Sequence, residues 1–323
     1  MGFLRKKYVW AILYTVLLVS FTLYTALDTF VITRVYSVVQ SEERDIDSSA
    51  NSSAAESGSQ NESSAEGTES AGSSQFTESA VITESSYSDQ NISITITEYR
   101  EYDTTIYVAD VYVSSAEYLQ TAFAQNAYGQ NITEKTSVIA EASNAILAIN
   151  GDYYGSQKKG YVLKNGVLYR EASSSDQEDL VIWEDGSFEI ITEGEVSAST
   201  LLDNGALQVL SFGPALVVDG SVSVSESEEV GKAKASNPRT AIAVVDDLHY
   251  LFIVSDGRTD ESEGLTLYQL AEFVQGLGAE IVYNLDGGGS STMYFNGEII
   301  NNPTSSGNSI KERSVSDIVY IGY

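Results

Sequence analysis

The 323-residue sequence contains no cysteine and a single histidine, His249. The absence of cysteine excludes disulfide bonds and thiolate metal sites, so the core of an exported form must hold itself together. Basic residues are also scarce: 17 Lys and Arg stand against 46 Asp and Glu, a formal net charge of −29. Nucleic acid is therefore not an expected partner. Because an acidic surface repels anionic substrates at long range, an anion site must be a local cationic pocket, and the position of each arginine is informative.

Long apolar runs are rare, and the only one that could span a bilayer lies near the N-terminus. Three basic residues at positions 5–7 precede an apolar run over residues 8–27, which has the length of about 20 residues that a transmembrane helix needs. Basic residues before the run and none immediately after it place the N-terminus inside the cell. No small-x-small cleavage site follows, so we interpret the run as an uncleaved signal anchor. The predicted parts are a cytoplasmic basic tail over residues 1–7 and an anchor with its membrane-proximal continuation over residues 8–40.

The composition changes over residues 41–91, where Ser, Glu, Ala, Gly and Asn dominate. Such a segment cannot bury enough apolar surface to offset its ordering entropy, so we expect a disordered stalk that holds a domain away from the membrane. Residues 92–323 are sufficient for one domain with a substantial core. We expect a single α+β domain with a mixed β-sheet and a few helices.

Within this domain, alternating and continuous apolar runs predict strands, and apolar residues at helical spacing predict helices. The principal predicted strands are 92–96, 106–113, 145–149, 241–245, 251–254, 281–283 and 315–321, and the predicted helices are 136–145 and 266–277. Two hairpins are expected around the turns Lys164-Asn165-Gly166 and Glu184-Asp185-Gly186, and we interpret both as scaffold.

The most informative stretch runs from Ile281 to Met293 and reads IVYNLDGGGSSTM. A buried strand leads into Asn284-Leu285-Asp286, where three glycines stop it. The glycine run allows a ligand to approach bare backbone N–H groups, and residues 290–292 add three hydroxyls. A carboxylate followed by such a backbone nest suits a phosphate-bearing substrate. A plain glycine-rich turn explains the segment alone equally well, and the Gly-Lys-Ser/Thr ending of a nucleotide P-loop is missing.

Polar residues also stand at the ends of the other predicted strands. They are Asn150 and Asp152 after strand 145–149, Arg239 before strand 241–245, Asp256 and Arg258 after strand 251–254, and Arg313 before the last strand. Taken alone, the Asn-Gly pair at 150–151 is more typical of a hairpin turn. Polar groups collected at strand ends are nevertheless the expected construction of a binding site on a rigid scaffold. Arginine forks match phosphate oxygens, and only Arg100 and Arg170 of the domain's arginines lie elsewhere.

Several of these segments resemble the phosphodiester glycosidase family. They are NGDYY at 150–154, NPRTAIAV at 237–244, SDGR at 255–258, NLDGGGSSTM at 284–293 and ERSVSDIVYI at 312–321, in that order. The resemblance covers most of residues 92–323, and the LDGGGSSTM motif is its most specific part. It implies hydrolysis of a sugar linked through its anomeric carbon to a phosphodiester, and bacterial members are associated with exopolysaccharide or cell-envelope glycans. The anchor, the stalk and the lack of cysteine depart from the secreted animal members.

The resemblance implies a site of eleven residues. They are Asn150, Asp152, Arg239, Asp256, Arg258, Asp286, Gly287, Gly288, Ser290, Thr292 and Arg313. Cleavage at an anomeric carbon passes through an oxocarbenium-like state while charge grows on the departing phosphate. We therefore assign the three arginines to the phosphate and a carboxylate to the sugar or water side, with Asp286 the first candidate and Asp152 the second. No cofactor is required; the aspartates are compatible with a divalent cation, although no ligand spacing demands one.

Two alternatives remain open at the level of sequence. The first is a non-catalytic domain that holds an envelope glycan in the same cleft. The second is a serine hydrolase that uses Ser290 or Ser291 with His249, but the chain contains no G-x-S-x-G elbow.

Overall fold

The computed structural model describes residues 8–38, 76–77, 79–227, 236–305 and 309–323. Among these residues, the α-helices are α1 Val9–Phe30, α2 Thr136–Ala142, α3 Ala198–Asp203 and α4 Leu267–Gln275. Short 3-10 turns cover Ala116–Tyr118, Ala124–Asn126, Tyr154–Ser156 and Gly288–Ser290. The strands of the N-terminal half are β1 Arg34–Val38, β2 Val81–Ile82, β3 Ser86–Ser88, β4 Ile92–Glu101, β5 Thr104–Val113, β6 Leu119–Phe123, β7 Ala127–Gln130, β8 Glu134–Lys135, β9 Leu147–Asn150, β10 Val162–Lys164 and β11 Val167–Arg170. Those of the C-terminal half are β12 Glu178–Trp183, β13 Phe188–Thr192, β14 Ala206–Leu210, β15 Ala215–Val218, β16 Ser221–Val222, β17 Arg239–Asp246, β18 His249–Ser255, β19 Ile281–Asn284, β20 Met293–Phe295, β21 Glu298–Ile299, β22 Ser314–Val315 and β23 Asp317–Ile321.

The strands form three main sheets. The large sheet has nine strands in the order β16-β15-β19-β17-β18-β5-β4-β3-β2. The second sheet has the order β21-β20-β9-β23-β6, and the third has the order β11-β10-β14-β12-β13. Two further ribbons join β1 to β7 and β22 to β8. The ladders that build these sheets are antiparallel, for example β17 with both β18 and β19. The α+β class expected from the sequence is confirmed.

Each face of the large sheet is buried against a different layer. Ile242 and Phe252 point into the main core, which also contains Ile149 of the second sheet and Leu180 of the third. The neighbouring residues of the same strands, such as Ala241, point to the opposite face and pack with α4. This two-residue period is the geometry of a strand, and strands covered on both faces read as continuous apolar runs.

Helix α4 is the clearest example of local sequence dictating structure. Thr266 accepts from the Gln269 backbone N–H at 3.1 Å, and the Gln269 side chain accepts from the Thr266 N–H at 2.9 Å. This capping box satisfies two donors at the helix start. Leu267, Leu270, Ala271 and Val274 then recur at helical spacing and are fully buried against the large sheet. Burial of each large apolar side chain in this way stabilises the folded state by about 1.5–3 kcal/mol.

The predicted helices and hairpins are confirmed, with some shifted ends. Helix α2 ends at Ala142 rather than at Ala145, because Asn144 adopts a left-handed conformation with φ of 51°. The last predicted strand is divided at Ser316 into β22 and β23. Strands β2 and β3 belong to the large sheet, so the folded domain begins before Ile92, inside the segment predicted as stalk. Most of that segment, residues 41–75 with residue 78, lies outside the described residues.

Helix α1 carries the apolar run near the N-terminus. It is long and apolar enough to cross a membrane over Val9–Thr29, with a mean hydropathy of 1.8, and nearly all of it is exposed. The membrane-proximal continuation expected after it contains strand β1, which pairs with β7 of the domain.

The antiparallel order brings several strand ends to one edge of the large and second sheets. Ala241, near the start of β17, lies opposite Asn284 at the end of β19, and Arg239 lies opposite Ser255 at the end of β18. In the second sheet, Asn150 at the end of β9 lies opposite Ile318 near the start of β23. We call this common edge the site edge.

Candidate active site

Asp286 lies at the site edge, two residues beyond the end of β19. Its Oδ2 accepts hydrogen bonds from Ser290 Oγ at 2.6 Å and from Arg313 Nη2 at 2.8 Å. The Asp286 side chain is 14% exposed and the Arg313 side chain 44%, so the pair opens to solvent on the arginine side. Burial raises the pKa of Asp286, and the Arg313 charge and the Ser290 hydroxyl act against that rise. The carboxylate is thus partly desolvated and has a cation beside it.

The glycine run after Asp286 is required by close packing. Gly288 has φ of +61°, and a Cβ added there would lie 2.8 Å from Arg258 Nη2. A Cβ on Gly289 would lie 2.9 Å from Ser305 Cα. Side chains at these positions would displace the arginine or the opposing loop, so glycine is needed for the backbone and Arg258 to come together.

Arg258 approaches the same glycines from the end of β18. Its Nη2 donates to Asn237 Oδ1 at 2.9 Å and its Nη1 to the Ser305 carbonyl at 2.9 Å. No carboxylate among the described residues forms an ion pair with Arg258. Burial and the nearby Arg313 charge lower the pKa of Arg258. The guanidinium groups of Arg258 and Arg313 therefore lie near each other. Among the described residues, Asp286 is the one carboxylate that pairs with either of them, through Arg313. The remaining positive charge favours binding of an anion.

Arg239 is the most deeply placed of the three predicted arginines. It is 4% exposed, and its Nε donates to the Leu265 carbonyl at 2.8 Å. A Cβ on Gly287 would lie 3.9 Å from Arg239 Cδ, so the arginine lies directly behind the glycine run. It adds positive charge to the site edge from within the protein.

Asp256 supports the loop opposite Arg258. Its Oδ1 accepts from the Asn302 backbone N–H at 2.8 Å and its Oδ2 from Asn302 Nδ2 at 3.1 Å. Burial raises the pKa of Asp256, although these hydrogen bonds oppose the rise. The loop that it holds also supplies the Ser305 carbonyl that receives Arg258. Asp256 therefore orients Arg258 through this loop.

Asn150 and Thr292 connect the sheets beneath Asp286. Asn150 Nδ2 donates to the Asp286 carbonyl at 2.6 Å, and its Oδ1 accepts from Thr240 Oγ1 at 2.8 Å and from the Thr292 N–H at 3.3 Å. Asn150, Thr240 and Thr292 are all fully buried. One amide therefore fixes the backbone at Asp286 relative to β9, β17 and the start of β20.

Asp152 lies in a buried ion-paired group that we call the lysine triad, made of Asp152, Lys164 and Asp317. Lys164 Nζ donates to Asp152 Oδ2 and to Asp317 Oδ2, each at 2.9 Å, and none of the three is more than 2% exposed. Burial disfavours the charged lysine, yet the two carboxylates outweigh it and raise the pKa of Lys164. Burial and the Asp152 charge raise the pKa of Asp317 to about 7.

The lysine triad is adjacent to the Asp286 loop. The Asp286 backbone N–H donates to the Gly151 carbonyl, and the Gly151 N–H donates to the Asp317 carbonyl. A Cβ on Gly151 would lie 2.3 Å from Asp317 Oδ1, so only glycine fits between them. The triad thus fixes the segment on which Asp286 rests.

The predicted residues therefore divide into two groups. Those at the open side of the site edge are Arg258, Asp286, Gly287, Gly288 and Arg313, with Ser290 directly beneath them. Those buried behind them are Asn150, Asp152, Arg239, Asp256 and Thr292.

Lys164 and Asp317 were not predicted as site residues. The sequence pattern places Lys164 in a scaffold hairpin and Asp317 in the last strand, and indicates a role in the site for neither. A lysine that directly follows the apolar residues Tyr161–Leu163 was the available signal, because a buried lysine needs a carboxylate partner.

His249 lies at the opposite end of β18 from Ser255. A seven-residue strand places it about 20 Å from the site edge. Its Nε2 lies 2.7 Å from Asp110 Oδ1, and its ring stacks on Tyr112. It cannot serve Ser290, whose Oγ donates to Asp286. Among the described residues, no group of three or more His, Cys, Asp or Glu side chains could hold a metal ion.

Comparison with known proteins gives a consistent result. A model of the phosphodiester glycosidase family matches residues 143–322, a range that contains every residue of the site. The chain is 30% identical over 201 residues to the SPbeta prophage-derived uncharacterized protein YomE of Bacillus subtilis, which covers 61% of this chain and 31% of that protein. It is 28% identical over 175 residues to the N-acetylglucosamine-1-phosphodiester alpha-N-acetylglucosaminidase of Mus musculus, covering 49% of this chain and 33% of the mouse protein. The chain thus spans about a third of the length of these curated relatives.

A solved structure shares the fold. The catalytic domain of zebrafish N-acetylglucosamine-1-phosphodiester alpha-N-acetylglucosaminidase, auto-inhibited by its pro-peptide, superposes with a TM-score of 0.57 at 20% identity. The match covers 72% of this chain and 83% of the zebrafish chain.

Proposed function

Because this chain belongs to the phosphodiester glycosidase family, we propose that it is a membrane-anchored hydrolase acting outside the cytoplasm. Its substrate is a sugar resembling N-acetylglucosamine, linked through C1 to a phosphodiester in an envelope or exopolysaccharide glycan. Helix α1 supports the anchoring, since it is long and apolar enough to span a bilayer and nearly all of it is exposed. The basic residues at positions 5–7 support the orientation, with the domain on the outer side.

The observation that carries the proposal is the arrangement of one carboxylate with two arginines. Asp286 is held 2.8 Å from Arg313, and Arg258 lies over the adjacent Gly288 without a carboxylate of its own among the described residues. A sugar 1-phosphodiester presents the complementary pair of groups, an anomeric carbon that becomes cationic and a phosphate that becomes more anionic.

The chemistry follows from this complementarity. The bond between C1 and the phosphate-bearing oxygen breaks, and its electron pair leaves with the phosphate monoester. Arg258 and Arg313 donate hydrogen bonds to the phosphate oxygens, and the buried charge of Arg239 adds to the stabilisation. Asp286 acts on the sugar side as base or nucleophile. Water supplies the hydroxyl of the free sugar and the proton that the phosphate or solvent takes up.

Asp152, the second candidate, has a supporting role in this proposal. Its Oδ2 is occupied by Lys164 and by the Ser211 N–H, and its Oδ1 by the Tyr154 N–H. A fully buried carboxylate with both oxygens occupied is poorly placed to reach a substrate. It holds the segment at Gly151 against which Asp286 is positioned.

The test compares two substrates with the full chain in detergent. N-acetylglucosamine 1-(glyceryl phosphate) has the proposed linkage, and p-nitrophenyl N-acetylglucosaminide has the same sugar without a phosphate. We expect free sugar from the first compound only. Equal release from both would contradict the role of the arginines. Binding of the first without release would instead favour the glycan-binding alternative.

A further inference from the structure

The domain contacts the last turn of the apolar helix directly. Asn131, which follows β7, donates from Nδ2 to the Thr29 carbonyl at 3.3 Å and to the Ile32 carbonyl at 3.0 Å. Thr29 is the last residue of the segment that could span a membrane. Three residues separate the helix from β1, so the chain can reach only about 14 Å between them. The domain therefore lies at the end of the helix.

Strand β1 holds the domain at the end of the helix, because it pairs with β7 of the domain. Arg34 lies opposite Gln130 and Val35 opposite Gly129. A Cβ on Gly129 would lie 2.0 Å from the Arg34 carbonyl, so the glycine allows the two backbones to meet. The Tyr36 ring contacts the Tyr128 ring at a centroid distance of 5.7 Å. The segment after the helix is thus a strand of the folded domain.

The same segment of the domain adjoins the site edge. The Asn131 N–H donates to the Gly155 carbonyl at 3.0 Å, and Tyr128 stacks on Tyr154 at 5.6 Å. The Tyr154 N–H donates to Asp152, one residue from the Gly151 carbonyl that receives Asp286. A short series of hydrogen bonds and ring contacts therefore connects the helix end to the Asp286 loop.

We propose that docking of β1 on β7 confines the cleft to the membrane surface, so that the enzyme acts on sugar 1-phosphodiesters whose second ester is carried by a membrane lipid. This rests on the proposed function, and it replaces the expected stalk with a fixed, short connection. Hydrolysis leaves the lipid phosphate monoester in the membrane and releases the free sugar, with water providing the new hydroxyl and a proton. Val31, which precedes β1, and Val35, within β1, are exposed apolar residues of the kind found on surfaces that contact a membrane.

The first experiment lengthens the connection at two places. A flexible insertion of 30 Gly and Ser residues after Thr33 separates the helix from β1 by about 30 Å on average. The matched control carries the same insertion after Glu56, between β1 and β2, where docking leaves the distance from helix to domain unchanged. Each full-length protein is assayed in phosphatidylcholine vesicles with two substrates, N-acetylglucosamine 1-(glyceryl phosphate) and its dioleoylglyceryl counterpart.

The expected result is specific to one insertion and one substrate. The insertion after Thr33 should lower turnover of the dioleoylglyceryl substrate about fivefold or more, because the effective concentration of the domain at the surface falls. Turnover of the soluble substrate should stay within about twofold for both proteins. Equal behaviour of the two insertions on the lipid substrate overturns the proposal. Turnover of neither substrate by the wild type overturns the proposed function and, with it, the assignment of a lipid-linked substrate.

A second experiment tests docking without any assay of activity. Residues directly opposite each other in an antiparallel ladder have Cα atoms about 4.5–5.5 Å apart, within the range of a disulfide. The chain has no cysteine of its own, so the double variant Arg34→Cys/Gln130→Cys should form one intramolecular disulfide on oxidation. The control Arg34→Cys/Glu141→Cys, with the second thiol at an exposed position of α2, should not. Failure of the first pair to cross-link would show that β1 is not docked.

Discussion

At the scale of single residues, the site is defined by which charges are neutralised. Asp286 and Arg313 form an ion pair that is open to solvent, whereas Asp152, Lys164 and Asp317 neutralise one another in the interior. Only the first group offers free hydrogen-bonding capacity to a substrate. This difference separates Asp286 from Asp152, the first and second candidates that the sequence offers.

Replacement of Asp286 by Asn tests its chemical role. The substitution keeps the shape and the Ser290 hydrogen bond but removes the ionisable group. We expect kcat to fall about 100- to 10,000-fold, the range typical of a lost acid or base, with little change in the melting temperature. The control is Asp185→Asn, a carboxylate that bonds only to Ser187 within its own turn. Near-normal turnover of the Asp286 variant would rule out a carboxylate mechanism at this position.

Replacement of Arg258 or Arg313 by Lys tests the phosphate contacts. Lysine keeps the charge but loses the planar fork, so transition-state stabilisation should fall by about 1–3 kcal/mol. That corresponds to roughly ten- to a hundredfold in kcat/KM on the phosphodiester substrate. Arg100→Lys is the matched control, because Arg100 bonds to Thr105 and Ser262 outside the site. Equal losses in all three variants would indicate a general structural effect.

Residue patterns indicated most of the candidate site but not the pairing of Asp152 with Lys164 and Asp317. Asn150, Arg239, Arg258, Asp286 and Arg313 stood out because each adjoins a predicted strand end. The lysine triad did not, because Lys164 and Asp317 are 153 positions apart and only the folded sheets bring them together. A residue pattern along the chain carries no information about such a pairing.

At the scale of elements, strands and helices followed local pattern, while sheet order did not. Helix α4 and the hairpin β10–β11 are set by spacing, capping and turn residues within a few positions. The pairing of β5 with β18 joins segments that lie far apart in the sequence. The same holds for β1, whose short run, interrupted by Arg34, gave no sign of a partner at Ala127–Gln130.

The lysine triad tests how elements are held together beneath the site. Lys164→Met removes the cation that joins β10, β23 and the segment after β9, and leaves two carboxylates buried without it. We expect a loss of about 3–5 kcal/mol in the free energy of unfolding, measured by denaturant titration. Lys158→Met, at an exposed lysine, should cost little.

The stability of a triple variant, compared with that of Lys164→Met, tests this prediction further. The triple variant Lys164→Met/Asp152→Asn/Asp317→Asn removes the buried charges altogether. It should be more stable than Lys164→Met alone, because much of the cost of the single change is the uncompensated charge that it leaves. A triple variant less stable than the single one would mean that the carboxylates stabilise the fold independently of the lysine.

At the scale of the whole molecule, exposed and buried carboxyl groups differ in their protonation at neutral pH. Among the described residues, most Asp and Glu side chains are not buried. Asp179, in contrast, is fully buried near Glu193 and Asp152. Burial, with these carboxylates, raises the pKa of Asp179 to about 10, so this side chain is protonated in the folded protein at neutral pH.

The sign of the resulting stability change follows from proton binding. Below pH of about 4 both the folded and the unfolded chain hold the proton, and Asp179 contributes no pH dependence. Between about 4 and about 10 only the folded chain holds it, so the free energy of unfolding falls as the pH rises through this window. Asp317, with a pKa of about 7, adds to the decline in the lower part of the window.

Asp179→Asn isolates this contribution, because asparagine has no proton to release. The wild type should lose thermal stability steadily from pH 7 to pH 9 by scanning calorimetry, and the variant should lose less over the same interval. Asp185→Asn again serves as the control and should follow the wild type, because Asp185 is exposed and its hydrogen bonds to Ser187 lower its pKa below this interval. If Asp179→Asn parallels the wild type between pH 7 and pH 9, then Asp179 is already ionised in the folded state. A decline shared by all three proteins would then have to come from another group that titrates in this interval.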